Sequence, residues 1–250
     1  MNKSYAEFDR FSREYDELLK DPVRDLFSPG SGEFFHRRKR DLIRQYFLRR
    51  RLDTRPLSYL DVGCGKGELV SMLRSDFARV AGCDLSEAML AVGGLNAKGI
   101  EARTHKQPDQ IPFADGEFDF VTAICVYHHV LPTARPALLR EMLRVVKKNG
   151  TLAIIEHNPY NPVTQLIVSR TPIDADAILL RPAETVRLFE AAGVAVEDTR
   201  YFLYLPESAY RRFSRVERML SRVPLGGQYA IFGRSVPTDD AFHGQSMSSQ

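Results

Sequence analysis

A chain of 250 residues with 35 lysines and arginines, 32 aspartates and glutamates and a net charge of +3 fits one large α/β domain, alone or with a short appended lid. With 44% hydrophobic and 27% charged residues, the composition excludes disordered, collagen-like and disulfide-scaffold classes. The slight positive charge does not argue for nucleic acid, and the basic runs His36–Arg40 and Arg211, Arg212, Arg215 and Arg218 fall in helical patterns without interleaved aromatics. They are expected to be solvated faces.

No apolar run approaches the roughly 18 residues that a membrane span needs. The opening residues lack the apolar stretch of a secretory signal. Cys64, Cys83 and Cys125 are an odd number without metal-ligand spacing, which suggests reduced thiols and a cytoplasmic protein.

Residues 1–56 are expected to form a helical cap. Phe8, Phe11, Tyr15, Leu18 and Leu19 share one helical face, and Leu42, Ile43, Tyr46 and Phe47 mark another. Pro22 and residues 28–32 supply breaks between them. From Ser58 the pattern changes to alternating strands and helices. Strands are expected at residues 59–62, 79–84, 100–103, 118–124 and 151–156, with helices at about 68–75, after Ser86, and at 134–148. That alternation predicts a doubly wound, mainly parallel sheet with helices on both faces, within a domain spanning residues 57–236. The proline-rich stretch 157–182 is too long for a routine loop and is a candidate lid or acceptor wall, with a short helix near 163–169. A helix at 183–192 and strands at 194–205 and 228–233, with a basic helix between them, complete seven strands. A polar, flexible tail is expected over 237–250.

The sharpest chemical signal is Leu60-Asp61-Val62-Gly63-Cys64-Gly65-Lys66-Gly67. Ligands of open α/β sheets bind at the carboxyl ends of strands, and glycines there let a ligand approach the main chain. Asp84 ends the next strand. A dinucleotide fingerprint would need its third small residue one place later, and Glu68 would set a carboxylate where two phosphates should rest. A cofactor bearing an ammonium and a sulfonium suits Asp61 and Glu68 better.

This strand–loop–helix resembles the first motif of class I S-adenosylmethionine-dependent methyltransferases, and residues 58–156 follow that family's order. The resemblance implies a Rossmann-like methyltransferase fold with S-adenosylmethionine as cofactor. Asp61, Gly63, Cys64 and Gly65 would then line its methionine and ribose part, and Asp84 would bind the ribose hydroxyls as a chelating pair. Leu85 and Met89 would flank the adenine, and Gln107 or the nearby Asp109 would meet its amino group. Cys125-Val126-Tyr127-His128-His129-Val130 resembles the ubiquinone/menaquinone-type branch and its small-molecule relatives. Cys125 and His128 are assigned to the cofactor pocket.

His129, or His157 with Glu156, is the candidate proton acceptor, because imidazole titrates near neutrality. No third ligand has recognisable spacing, so no metal site is expected. Tyr5, Tyr15, Arg38 and Lys39 are candidates to close over the cofactor's carboxylate. The leading function is methyl transfer to a small-molecule acceptor on oxygen, nitrogen or carbon, without nucleic acid and without a membrane span. The rivals are a cofactor-binding protein without transferase activity and a nicotinamide-dependent oxidoreductase. Oligomeric state, acceptor and pathway have no signature in the sequence.

Overall fold

The computed structural model describes residues 12, 14–29, 32–107 and 110–235. Tyr5, Phe8, Phe11, Asp109 and the expected tail lie outside them. Three helices open the described chain: α1 (Tyr15–Leu18), α2 (Pro22–Phe27) and α3 (Glu33–Arg49). The Asp21 carboxylate caps α2 by accepting from Val23 N and Arg24 N, with Pro22 at the first helical position, where a missing N–H costs nothing.

The core then alternates as β1 (Ser58–Val62), α4 (Glu68–Leu73), β2 (Arg79–Asp84), α5 (Glu87–Gly93), β3 (Glu101–Thr104), β4 (Phe118–Ile124), α6 (Arg135–Val145) and β5 (Val146–His157). It ends with α7 (Pro162–Arg170), α8 (Pro182–Ala191), β6 (Val194–Phe202), α9 (Glu207–Leu220) and β7 (Gln228–Ser235). The seven strands lie in the order β3-β2-β1-β4-β5-β7-β6. β1 to β5 pair in parallel, and β7 runs antiparallel between β5 and β6. Strand order reverses between β1 and β4, which places the ligand crevice at their carboxyl ends.

Period-two alternation splits the core across the two faces of the sheet. Leu152 and Ile154 of β5, with Tyr229 and Ile231 of β7, pack with Leu138, Met142 and Phe189. Ala153 and Ile155, with Ala230 and Phe232, face the other way onto Ile43, Tyr46, Phe47 and Leu73. The expected cap helix therefore forms one wall of the core. Tyr46 stacks on Phe232 with ring centroids 4.1 Å apart, and its hydroxyl donates to Glu197.

The helix expected to reach Lys148 stops at Val145. Val146 adopts extended backbone (ψ 141) and pairs with Phe118, and the register then shifts before Thr151 meets Phe120. Asn149 takes a left-handed φ of 60° within this bulge. Cross-strand pairing overrides the helical pattern of the lysines here.

Candidate active site

The glycine loop is fixed by the strand beside it. Gly63 N and Cys64 N both donate to Cys83 O, at 2.8 and 3.0 Å, and Gly65 N donates to Asp84 Oδ2 at 2.8 Å. Asp84 Oδ1 accepts from Ser86 N at 2.9 Å, while the Ser86 hydroxyl caps α5 through Met89 N. Asp84 thus orders both the loop and the following helix. Gly63 (φ 73°) admits no side chain, since a Cβ would lie 2.4 Å from Val126 Cγ2. Gly67 is excluded in the same way by Leu95.

One cavity of about 240 Å³ opens at this edge of the sheet. Asp61, Gly63, Cys64, Gly65 and Met89 line one end, and Cys125, His128, His129 and His157 line the other. Asp84 and Leu85 lie beside the loop without lining the cavity, and Gln107 is exposed. Gln107 contributes its carbonyl to His105 Nδ1 at 2.7 Å.

Charge at the loop end is mixed. Asp61 is buried, accepts from the Thr122 hydroxyl at 2.6 Å, and is pushed up to about 7 by burial, which outweighs that bond and Lys39. Burial likewise raises Asp84 above the usual carboxylate range. Glu68 lies 3.4 Å from Lys66 and is therefore partly compensated, a pairing the sequence argument did not include. Lys66 also sits 5.4 Å from the centre of the Tyr15 ring, which places α1 over the loop.

The far end is built around Glu156, which closes β5 at 1% exposure. Its Oε1 accepts from Val126 N and Tyr127 N at 2.9 and 2.7 Å, and its Oε2 faces His128 Nδ1 at 2.6 Å. With both oxygens engaged and no share in the cavity lining, Glu156 holds the turn after β4. Cys125 starts that turn at a left-handed φ of 57°. Its thiol meets Lys39 Nζ and Gln228 Nε2, each at 3.5 Å. Burial would raise the thiol, but Lys39 and His157 outweigh it and bring it down to about 7.

Asp174, which the linear pattern gave no reason to select, completes the cluster. It ends the 3₁₀ turn Pro172–Asp174 and places Oδ1 at 3.4 Å from His128 Nε2 and 3.5 Å from His129 Nε2. Among the described residues, His128, His157 and Asp174 bring three ligand-type atoms within 4.8 Å of one another. Burial alone would lower His128, but Glu156 and Asp174 outweigh it and raise the ring to about 10. Burial would raise Asp174, yet the hydrogen bond from His128 and the charge of His157 hold it down to about 2.

The proline-rich stretch is the wall that carries Asp174, and it is tied down. Ile178 N donates to His128 O at 2.8 Å, and Arg135 Nη2 donates to Ile178 O. Asn161 caps α7 through Thr164 N, and the Thr164 hydroxyl donates to Gly227 O at 2.9 Å. Arg24, Phe27, Phe35 and His36 of the cap, with Val163, Ile167 and Ile173, enclose the rest of the cavity. Lys39 faces this space from α3, and Arg38 instead lies buried against Tyr210 and Glu217.

A parallel sheet with this reversal point, a glycine loop after β1 and an acid ending β2 define a nucleoside-binding protein of the class I methyltransferase type. Residues 60–154 match the model of the methyltransferase domain. A ubiquinone biosynthesis O-methyltransferase of Thiobacillus denitrificans is 30% identical over 172 residues, covering 62% of this chain and 73% of its own. A demethylmenaquinone methyltransferase of Corynebacterium kroppenstedtii is 33% identical over 162 residues, and the match spans 64% of this chain and 63% of the relative's length. A SAM-dependent methyltransferase of Thermotoga maritima has the same fold, at a TM-score of 0.63 and 15% identity over 92% of this chain and 99% of its own. The [4+2]-cyclase SpnF shares the fold equally well, with a TM-score of 0.63 and 15% identity over 92% and 94% of the two chains. This chain belongs to the S-adenosylmethionine-dependent methyltransferase family, and S-adenosylmethionine is its cofactor.

The site fits that group. The loop end presents glycine backbone and the buried Asp61 carboxyl, which favours a cationic, phosphate-free nucleoside over a pyrophosphate, while Lys66 offsets Glu68. Among the described residues, no helix is long and apolar enough to cross a membrane.

Proposed function

We propose that this protein methylates a hydroxylated or quinol-type ring of a small molecule, with Asp174 and His129 as its proton-handling pair. The observation that carries this reading is the single cavity joining the glycine loop to the histidine cluster. S-Adenosylmethionine supplies an already activated methyl group, so the protein's main task is to hold the acceptor in line, which is worth roughly 7–11 kcal/mol of barrier. Gly63, Cys64 and Gly65 would hold the cofactor's methionine and ribose, with Asp84 at the ribose hydroxyls and Met89 at the adenine. The buried carboxyl of Asp61 would face its positive charge.

Phe27, Phe35 and Ile167 suit a flat apolar acceptor body, and His129, His157 and Asp174 suit its hydroxyl. An oxygen or carbon nucleophile has to lose a proton. The His129 ring takes it, and Asp174, held down to about 2 and therefore ionised, stabilises the resulting imidazolium. The paired relatives, a ubiquinone biosynthesis O-methyltransferase and a demethylmenaquinone methyltransferase, support a quinone-precursor acceptor. Release of S-adenosylhomocysteine with a catechol or naphthoquinol, and not with amines of equal size, is the expected result. Turnover with amines alone would overturn the reading.

A further inference from the structure

The basic stretch after β6 is more than a solvated face. α9 (Glu207–Leu220) turns Tyr210 and Glu217 inward. The Tyr210 hydroxyl accepts from Arg38 at 2.6 Å, and the Glu217 carboxylate accepts from Arg38, from Leu203 N and from Leu205 N. The outward side divides into two stripes. Phe213, Val216 and Leu220 are 51%, 48% and 37% exposed, and the stripe continues into the following turn with Val223 at 38%. The helix kinks at Phe213 (φ −118°, ψ 26°); beyond the kink Val216 and Leu220, four residues apart, share one side, and Val223 follows in the turn. Arg211, Arg215, Arg218 and Arg222 follow at four, three and four residues and form the adjoining ridge, with Arg212 beyond it and Met219, 83% exposed, set among the arginines. The acids of residues 207–225 are Glu207 and Glu217; Glu217 pairs with Arg38 of the cap, and Glu207 pairs with Arg37 of the cap and with Arg211 of the ridge at 2.9 Å.

An apolar stripe left in water beside an arginine ridge is the design of a helix that lies in the interface of an anionic bilayer. We propose that α9 seats this protein on such a bilayer. Phe213, Val216, Leu220 and Val223 would enter the headgroup boundary while the arginines meet lipid phosphates. Charge complementarity selects this occupant. A second copy packed on the same face by two-fold symmetry would bring the arginine ridges of both copies into one interface.

The position also places lipid beside the acceptor cavity. Asn158 Nδ2 donates to Pro224 O at 3.1 Å and Asn161 Nδ2 to Leu225 O at 2.7 Å, so the turn after α9 abuts the start of α7, whose Val163 and Ile167 line the cavity. Leu225 and Leu166 are themselves 57% and 46% exposed at this junction. A lipophilic acceptor would then reach the cavity without crossing water. The docking itself holds whatever the acceptor is.

The test is co-sedimentation of the full chain with vesicles of phosphatidylcholine alone and of phosphatidylcholine mixed with phosphatidylglycerol. At least about tenfold more protein should bind the anionic vesicles, and salt should release it as the Debye length shortens. Val216→Asp/Leu220→Asp should reduce binding about tenfold, with the thermal midpoint and S-adenosylhomocysteine affinity unchanged, because both positions face solvent. The chain has no tryptophan, so Phe213→Trp supplies a single reporter whose emission should shift to the blue on anionic vesicles. Equal binding to both vesicles, no binding to either, or an unshifted reporter on bound protein would overturn the proposal. So would a dimer that the aspartate pair breaks in the absence of vesicles.

Discussion

The glycine-loop end of the cavity is made of main chain, and the histidine end is made of side chains. At the first end, Gly63 N, Cys64 N and Gly65 N are fixed by Cys83 O and Asp84, all within 25 residues of chain. At the second, Glu156 from β5, His128 and His129 after β4 and Asp174 from the proline-rich wall meet across about 50 residues. A loop that uses its backbone imposes glycines at set intervals, so it leaves a mark in the sequence. A cluster that uses side chains from separate elements needs only one suitable residue on each and leaves a partial mark: His128, His129, Glu156 and His157 stood out in the sequence, and Asp174 did not.

The largest expected effect falls at the side-chain end. Asp174→Asn or His129→Ala should lower kcat by about 100-fold or more, within the range of general acid–base catalysis, while S-adenosylhomocysteine affinity stays nearly constant. Steady-state kinetics beside calorimetry would show the split. Loss of cofactor affinity in either variant would erase the division between the two ends.

Asp84→Ala should act the other way. It removes the acceptor of Gly65 N and Ser86 N and the proposed partner of the ribose. Charged hydrogen bonds of this kind are worth about 1.5–3 kcal/mol, so calorimetry should find S-adenosylhomocysteine bound about 10- to 100-fold more weakly.

A pH series sharpens the comparison further. Asp61 is raised to about 7, so below that pH it carries a proton, and above it a carboxylate that favours a cationic ligand. Cofactor affinity should therefore rise about tenfold from pH 6 to pH 7.5, and Asp61→Asn should flatten the curve. An affinity that falls over this range would contradict the role given to Asp61.

The smallest effect is structural. Tyr46→Phe removes the hydroxyl that donates to Glu197 but keeps the ring stacked on Phe232. Thermal unfolding should register a loss of about 1–2 kcal/mol, with kcat unchanged.

The core strands were legible in the sequence because they are buried on both faces and read as short apolar runs. The boundaries of β2 and β4 fall where the pattern sets them. The end of α6 was not legible, since the pairing of Val146 with Phe118 is a non-local event that no helical signal encodes. The glycine loop was legible through its motif, and the matched methyltransferase domain begins within it. Asp174 was hidden as one acid in a stretch whose prolines drew attention first. The role of Glu156 was hidden too, because its partners Val126 N and Tyr127 N are main-chain donors 30 and 29 residues away.

The antiparallel strand β7 has a consequence for synthesis on the ribosome. It is the last strand of the sheet in chain order, yet it lies between β5 and β6 and bonds to both along its length. Until Gln228 to Ser235 emerge, each of those strands carries an open edge, and Phe232 is not there to cover Tyr46. The sheet therefore stays incomplete until β7 slots in between β5 and β6, and translation stalled before that point should yield a species prone to clumping.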